Sequence, residues 1–580
     1  DDAWLSVGDL RSKKLPKEPA LDLTLFEKGM ALRVLADGKR YQAEVLEVSA
    51  ARARRAAPIK VRYAGYTAAS DEWVGADRVS TKALSKKTGA ESKPANKSDE
   101  RQAVDELVSA GWVIPVETEG ALQDHSIAVK DGKILDILPT SEAVKKYRGK
   151  SRTNLPNAAI MPGFVNTHSH APMSFMRGIS DDIPLSKWLH TAIWPIEQTL
   201  VGPEFVGDGA RLAFAEMIMG GTTTTNEMYW CPEDICKAAV EAGIRAAVGM
   251  IAIEFPFGGY GTGPDDYLAK GEKMVEKYGK EPLLTFTVSL HAPYTVSDDT
   301  IQKGKALCEK YDVPLHIHMH ETKEECSDSE KLNKDSNVCH MSTFEGTPLA
   351  NLRRMGLVTP KLLAVHMTCL TDDEIKWMAE GKANVVHCPS SNLKLASGFC
   401  RVGDLLEAGV NVAIGTDGAS SNNTVDMMAE MKLAAILAKA VAKNAEAVPA
   451  DVALRMATLH GARALGLEDR IGSLKVGKEA DMIAVDLSGL PLLPAPTSGR
   501  RDASFDPVTH IVYSSTRDQV TDVWVRGRRL LRSRKLLTIN IAQVRRDAKR
   551  WGERITELLA ELKRKATEEA AGADKAATGS

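Results

Sequence analysis

Residues 313–321 read VPLHIHMHE, an apolar run in which His316, His318 and His320 recur at every second position before the carboxylate of Glu321. A strand's two-residue period places all three imidazoles on one face. Seven runs of similar length accompany it: MPGFVNTH (161–168), GTTTTNEM (221–228), RAAVGMIAI (245–253), LLTFTVSLH (283–291), LLAVHM (362–367), ANVVHC (383–388) and GVNVAIGTD (409–417). Helical stretches separate them. Eight β runs alternating with helices over ~250–300 residues suit a closed parallel (β/α)8 barrel of the α/β class. An open doubly wound sheet would carry a glycine-rich phosphate turn after its first strand, and no G-x-G-x-x-G stands there.

Strand-rich flanks bracket these runs. Ahead of them SIAVKDGKILDIL (126–138) alternates around the hairpin pair Asp131-Gly132; behind them come ADMIAVDL (480–487) and TDVWVRGRRLL (521–531). Further toward the N-terminus MALRVL, YQAEVLEV and IKVRYAGY predict a small all-β barrel, followed by the polar linker 83–102. Near the other end Ile541, Val544, Ala548, Trp551, Ile555, Leu558 and Leu562 are spaced for an amphipathic helix, which packs on its own domain or meets a partner protein.

The chain is 580 residues long, 43% hydrophobic and 26% charged, with a formal net charge of -2. That length exceeds one domain. The balance argues against wholesale nucleic-acid or membrane binding. Eight scattered cysteines form no C-x-x-C pair, so they read as reduced thiols in a cytoplasmic or nuclear setting. The opening DDAWLSVGDLRSKK lacks a signal peptide's apolar run, and the absent initiator Met leaves an upstream targeting segment open.

In a barrel of this type the C-terminal strand ends surround the active site. Six of the eight runs have a His or Asp at their last position or next to it, so those side chains converge. His168 and His170, at i and i+2, point to one side and grip one ion. His318 supplies a third ligand, while Glu321, past the strand end, reaches the ion's water and moves protons. Asp417 follows the turn at Gly415. Three imidazoles and a carboxylate with one open position make a catalytic zinc-type site, and iron(II) suits the same donors. His291 and His366 end two further runs and remain for substrate or for the nucleophilic water.

Six phrases in a fixed order carry a resemblance: MPGFVNTHSHAPMSFMRG, IWPIEQ, HAPYTVS, HIHMHET, HCPSSNLKLASG and GTDGASSNN. From about Ala103 to Leu537 the chain resembles the amidohydrolase superfamily, in its branch of 5-methylthioadenosine/S-adenosylhomocysteine deaminases and triazine aminohydrolases. The resemblance implies a (β/α)8 barrel inserted into a composite β-sandwich built from both flanks. It implies metal ligation by His168, His170, His318 and Asp417, proton transfer by Glu321, and a water-orienting His366. Substrate contacts carry over to Glu197, a ribose acceptor, and to His291 and Trp188. The implied activity is hydrolytic deamination of an adenine-type nucleoside, by a dimer or tetramer holding one zinc or iron(II) ion. Two departures bear on the pocket beyond the ribose. Residues 326–346 form a long polar connection ending at Thr347 where Arg is usual, and IEFPFGGYGTGPDDY (253–267) has no Arg for a homocysteine carboxylate. The nucleobase deaminases with His/Cys/Cys zinc are excluded, because H-x-E followed by P-C-x-x-C is absent.

The N-terminal segment resembles a Tudor-knot or chromo-barrel domain, an SH3-like fold, with Arg62 where His is usual. Tyr41, Tyr63, Tyr66 and Trp73 are then either an aromatic cage for a methylated lysine or the mini-barrel's core. The organisation expected is a tail (1–23), the small barrel (24–82), the linker (83–102), the first sandwich part (103–160), the metal-dependent barrel (161–465), the second sandwich part (466–537), the amphipathic helix (538–568) and a disordered tail (569–580). Two other readings stand beside the deaminase: an aminohydrolase of guanine, pterin or s-triazine rings, and a scaffold in which the barrel is a passenger.

Overall fold

The computed structural model describes residues 28, 30–36, 39–49, 59–64, 71–74, 79–80, 100–118, 120–327, 344, 346–494 and 505–578. The chain divides into two units, Asp1–Glu100 and Arg101–Ser580.

The first unit holds five strands, β1 (Ala31–Ala36), β2 (Lys39–Val48), β3 (Ile59–Tyr63), β4 (Glu72–Val74) and β5 (Val79–Ser80), in the antiparallel order β4-β3-β2-β1-β5. Alternation along them buries Leu32, Val34, Ala43, Val45, Ile59, Val61 and Val74 as one small core. Arg62 reaches the next strand's approach and donates to both carboxylate oxygens of Asp71, at 2.8 and 2.7 Å. Of the four aromatic candidates, Tyr63 packs against the core and donates to Glu72, and Trp73 is half-buried opposite Lys60. Tyr66 and the side chain of Tyr41 lie outside the described residues.

In the second unit eight parallel strands follow one another in sequence order: β10 (Phe164–Ser169), β11 (Thr222–Glu227), β12 (Arg245–Ala252), β13 (Leu284–Leu290), β14 (Leu315–Met319), β15 (Leu362–His366), β16 (Asn384–His387) and β17 (Asn411–Ile414). All eight coincide with the runs read from sequence. The ring closes where Asp417 N donates to His168 O at 3.0 Å and Thr167 Oγ1 to Ile414 O at 2.9 Å. Nearly every residue of these strands is buried, the pattern of strands covered on both faces.

The flanks build one sheet. Strands β6 (Gln102–Val113), β7 (Leu122–Lys130), β8 (Lys133–Pro139) and β9 (Tyr147–Pro162) precede the barrel; β18 (Met482–Asp486), β19 (Val520–Val525), β20 (Arg528–Arg532) and β21 (Lys535–Leu536) follow it. Their order is β21-β20-β19-β18-β9-β6-β7-β8, with β18 antiparallel to β9 from Met482 opposite Pro162 to Asp486 opposite Ala158. Ile127 and Ile134 from one half share a core with Met482, Ala484 and Trp524 from the other, so the sheet folds over on itself as a sandwich.

The last helix, Ile541–Thr578, continues past residue 568, where a disordered tail was expected. Val544, Trp551 and Ile555 are its buried stripe. The Trp551 indole donates to Asp208 at 2.9 Å and meets Phe205 edge-on, tying the helix to Pro203–Met219 of the barrel layer. Through that stripe the helix packs on its own unit. No helix among the described residues is long and apolar enough to cross a membrane.

Candidate active site

Strand β10 delivers His168 and His170 to the mouth of the ring, β14 delivers His318, and the turn after β17 delivers Asp417. One donor atom from each lies within 4.8 Å of the others. Asp417 Oδ1 is 3.3 Å from His168 Nε2 and 3.2 Å from His170 Nε2, and His318 Nε2 is 3.2 Å from His168 Nε2. Asp417 adopts a left-handed φ of 61°, and Gly415 makes the approach possible. A Cβ at Gly415 would sit 2.8 Å from that of His168, so the glycine serves close contact between β17 and β10.

The imidazoles are oriented from behind. His170 Nδ1 donates to Met228 O at 2.5 Å and His318 Nδ1 to His291 O at 2.6 Å. A carbonyl only accepts, so in both rings Nδ1 carries the proton and Nε2 turns its lone pair inward. His168 Nδ1 lies 2.9 Å from His316 Nε2, which turns its Nε2 toward the same centre. Two lone pairs 3.2 Å apart beside a carboxylate repel unless a cation lies among them. The donor set therefore fits a divalent metal ion.

Burial pushes the His168 imidazole down to about 4 and His318 well below the ordinary range, so both stay neutral, as ligands must. Burial alone would raise the Asp417 carboxyl; its polar surroundings beside His168 and His170 outweigh that and hold it well below the carboxylate range. Its oxygens are also held by Ser391 at 2.6 Å, Ser421 at 3.0 Å and Gly418 N at 2.8 Å.

Glu321 is buried at the turn after β14, and burial raises its carboxyl, with His366 opposing. Its Oε2 is 3.8 Å from His366 Nε2. His366 Nδ1 donates to Asn392 Oδ1 at 2.8 Å, which leaves Nε2 as an acceptor facing the site. Behind Glu321, the Glu325 carboxylate receives His320 N at 2.7 Å and Glu321 N at 2.8 Å. That clamp fixes a turn in which His320 has a left-handed φ of 51°.

One cavity is lined by His170, His318, Glu321, His366 and Asp417 together with Trp188, Glu197 and His291. Every catalytic and substrate-contact candidate from the sequence thus lines one space, with His168 buried just behind. Glu197 comes from the helix Trp194–Leu200, and burial pushes its carboxyl up to about 7. The segment 253–267, read as lacking a cation, contributes Phe255 and Phe257, the latter stacked on Trp230 at 4.1 Å. Thr347, in the place of the usual Arg, caps the helix Pro348–Arg354 and donates to Glu374 at 2.6 Å. Residues 328–343 and 345 of the connection before it lie outside the described residues.

Sequence reasoning gave no role to His316, Asn392, Ser391, Ser421 or Glu325. Ser391 and Asn392 sit inside the quoted phrase HCPSSNLKLASG, and Glu325 stands one helical turn after Glu321. Those positions were the available signals.

Residues 159–530 match the amidohydrolase family. The 5-methylthioadenosine/S-adenosylhomocysteine deaminase of Teredinibacter turnerae is 40% identical over 453 residues, 78% of this chain and 98% of that protein. The 5'-deoxyadenosine deaminase of Methanosphaera stadtmanae is 38% identical over 438 residues, 74% of this chain and 94% of its own length. Among solved structures, a zinc-bound adenosine deaminase from Xanthomonas campestris superposes with a TM-score of 0.74 at 43% identity, covering 79% of this chain and all of that one. A family match across most of the second unit, near-complete coverage of these relatives, and the barrel with its His-His-His-Asp cluster agree: the chain belongs to the amidohydrolase family.

Proposed function

We propose that this protein is a metal-dependent hydrolytic deaminase of adenine-type purine nucleosides, converting the exocyclic amine to a carbonyl with release of ammonia. The observation that carries the reading is the pairing of Glu321 and His366 beside the four-donor cluster, in the cavity that also holds Glu197. The relatives' names, deaminases of adenosine, 5'-deoxyadenosine, 5-methylthioadenosine and S-adenosylhomocysteine, support the substrate class.

His168, His170, His318 and Asp417 would hold the ion, zinc or iron(II). A divalent cation bound there supplies Lewis acidity and brings the pKa of a water toward neutrality. His366 Nε2, fixed as an acceptor by Asn392, and the ionised Asp417 are the groups that orient the attacking water and take its proton. Glu321, whose carboxyl burial raises, gives a proton to the ring nitrogen next to the amine-bearing carbon. Oxygen adds at that carbon, the C–N bond breaks, and nitrogen leaves as ammonia. Glu197 receives the ribose hydroxyls, while Trp188 and His291 border the base. The apolar wall of Phe255 and Phe257 suits an uncharged 5′ substituent. The seven described cysteines are all free thiols, which fits a reducing, cytosolic setting.

The test is ammonia release from a panel of adenosine, 5'-deoxyadenosine, 5-methylthioadenosine, S-adenosylhomocysteine, guanine and an aminated s-triazine. Turnover of the nucleosides with inosine-type products is expected. Turnover confined to guanine or the triazine would overturn the substrate class, and neither turnover nor bound metal would favour the scaffold reading.

A further inference from the structure

Leu185, Trp188, Leu189, Ile193, Trp194 and Glu197 line the catalytic cavity, and all six stand on one connection, between β10 and the helix Pro203–Met219. Three short helical turns build it, Leu185–Trp188, Leu189–Ile193 and Trp194–Leu200, the middle one wound as a π-helix, a winding frequent at functional sites. The turns bond to themselves: Trp188 N donates to Pro184 O at 2.9 Å, Thr191 Oγ1 to Lys187 O at 2.8 Å and Thr199 Oγ1 to Pro195 O at 2.8 Å. Trp188, Ile193 and Glu197 are buried on the cavity side, while Ser186, Lys187, His190 and Thr191 are exposed. The connection begins in a bend where Gly178, Ser180 and Asp182 all take a left-handed φ, at 73°, 55° and 65°.

That bend is tied to two other strand-end loops. Lys394, the last residue of the helix Pro389–Lys394, donates from Nζ to Asp181 Oδ1 at 2.6 Å. Asn423, in the loop that follows Asp417, donates from Nδ2 to Asp181 Oδ2 at 3.0 Å and accepts from Lys394, which closes a ring of three side chains. Just before the bend Arg177 donates to Asn423 O at 2.6 Å and to Glu216 Oε2 at 2.5 Å, fixing its base. The Lys394 and Asp181 side chains are only 22% and 31% exposed, so water screens the pair less than it would on an open surface. In the same short helix Ser391 holds Asp417 and Asn392 holds His366. One helix therefore touches the metal cluster, the imidazole facing it and the bend.

We propose that Asp181 and Lys394 form a latch that holds residues 178–201 shut as a lid over the cavity, which makes Lys394 a positioning residue for Trp188 and Glu197. The proposal rests on the deaminase reading only in giving those two side chains to the substrate. With the pair parted, the left-handed residues of the bend relax, and turns that bond to themselves swing away as a unit. A substrate seated against Trp188 and Glu197 binds only the shut form, so its apparent affinity scales with the fraction of molecules that are shut. Once it is bound, Asp417 and His366 are held as before, and the chemical step is little changed.

The test follows amide hydrogen exchange by mass spectrometry in the full metal-loaded chain, comparing the parent with Lys394→Met, Asp181→Asn and Lys394→Arg. In Lys394→Met and Asp181→Asn, peptides from 183–200 should exchange about tenfold faster, the scale of one hydrogen bond to a charged group, while those of the barrel strands keep their rates. Lys394→Arg retains the charge and should behave as the parent. KM for the nucleoside should rise about tenfold in the first two variants, with kcat changed less than about threefold. These two cut the latch from opposite sides, so a defect private to one of them is told apart from its loss. Unchanged exchange across 183–200, or an equal rise throughout the barrel, overturns the latch. Faster exchange there with KM unchanged overturns its coupling to Trp188 and Glu197. The exchange measurement needs no substrate and decides the latch even if no nucleoside is turned over.

Discussion

Replacing Glu325 with alanine removes the acceptor of two buried amides, His320 N at 2.7 Å and Glu321 N at 2.8 Å. A buried donor left unsatisfied costs ~1–3 kcal/mol, so holding the turn unchanged would cost about 2–6 kcal/mol for the pair. The turn has a cheaper way out. It can unwind from the left-handed geometry at His320 and let the amides reach water, which moves the Glu321 carboxylate away from His366. A displacement of about 1 Å costs on the order of 100-fold in turnover, equivalent to ~2.7 kcal/mol of barrier, which is at the low end of the desolvation penalty it avoids. Glu325→Ala should therefore lower kcat by ~30–100-fold. KM for the nucleoside should stay within about threefold, because Glu197 and the aromatic wall stand on other elements. Glu325→Gln keeps one carbonyl oxygen and should fall between. Initial rates of ammonia release, with metal content and thermal unfolding measured on the same samples, decide it. A folded, metal-loaded Glu325→Ala enzyme with kcat within threefold of the parent would refute the reasoning.

Glu321→Gln should retain the ion but lose at least ~100-fold in turnover, the scale of general acid–base catalysis; near-normal ammonia release by the metal-loaded variant sinks the proton-transfer assignment. Glu197, pushed up to about 7 by burial, is protonated below that pH and loses acceptor strength toward a ribose diol. In rate profiles, kcat/KM for nucleosides should then fall as pH drops through about 7, and Glu197→Gln should flatten that limb. The same shift has a sign for stability. Between 4.5 and about 7 the folded state holds a proton that the unfolded chain has released, so the contribution of Glu197 declines as pH rises across that window. Melting curves of the parent and Glu197→Gln should converge toward low pH. Chelation should abolish ammonia release and lower the melting temperature, since an ion bound only by the folded site stabilises it; unchanged activity after verified metal removal excludes the metal-dependent reaction.

The barrel and its metal cluster were legible because strand periodicity is a local property. His168 and His170 are two positions apart, His318 and Glu321 three, and each run's end predicts the ring's mouth. The supports were not legible in the same way. Met228 O and His291 O are backbone atoms that any residue would supply, and Asn392 meets His366 only because the helix Pro389–Lys394 crosses the next strand's end. The last helix outran its expected end for a different reason. ATEEAAGADKAA has no large apolar group yet is half alanine, the strongest helix former, and intrinsic helix propensity carries the helix on. The folded-over sheet was foreseen as two flanks; its order, with β18 laid against β9, is set by tertiary contacts that no single segment encodes.

That pairing of β9 with β18 imposes a timetable on biosynthesis. Met482 lies 320 positions after its partner Pro162. At ~5–20 residues per second a growing chain spends about 16–64 s between emitting one and the other. Throughout that interval the outer edge of β9 is an unsatisfied template, so nascent chains on crowded polysomes are at risk of pairing with one another before the C-terminal strands emerge.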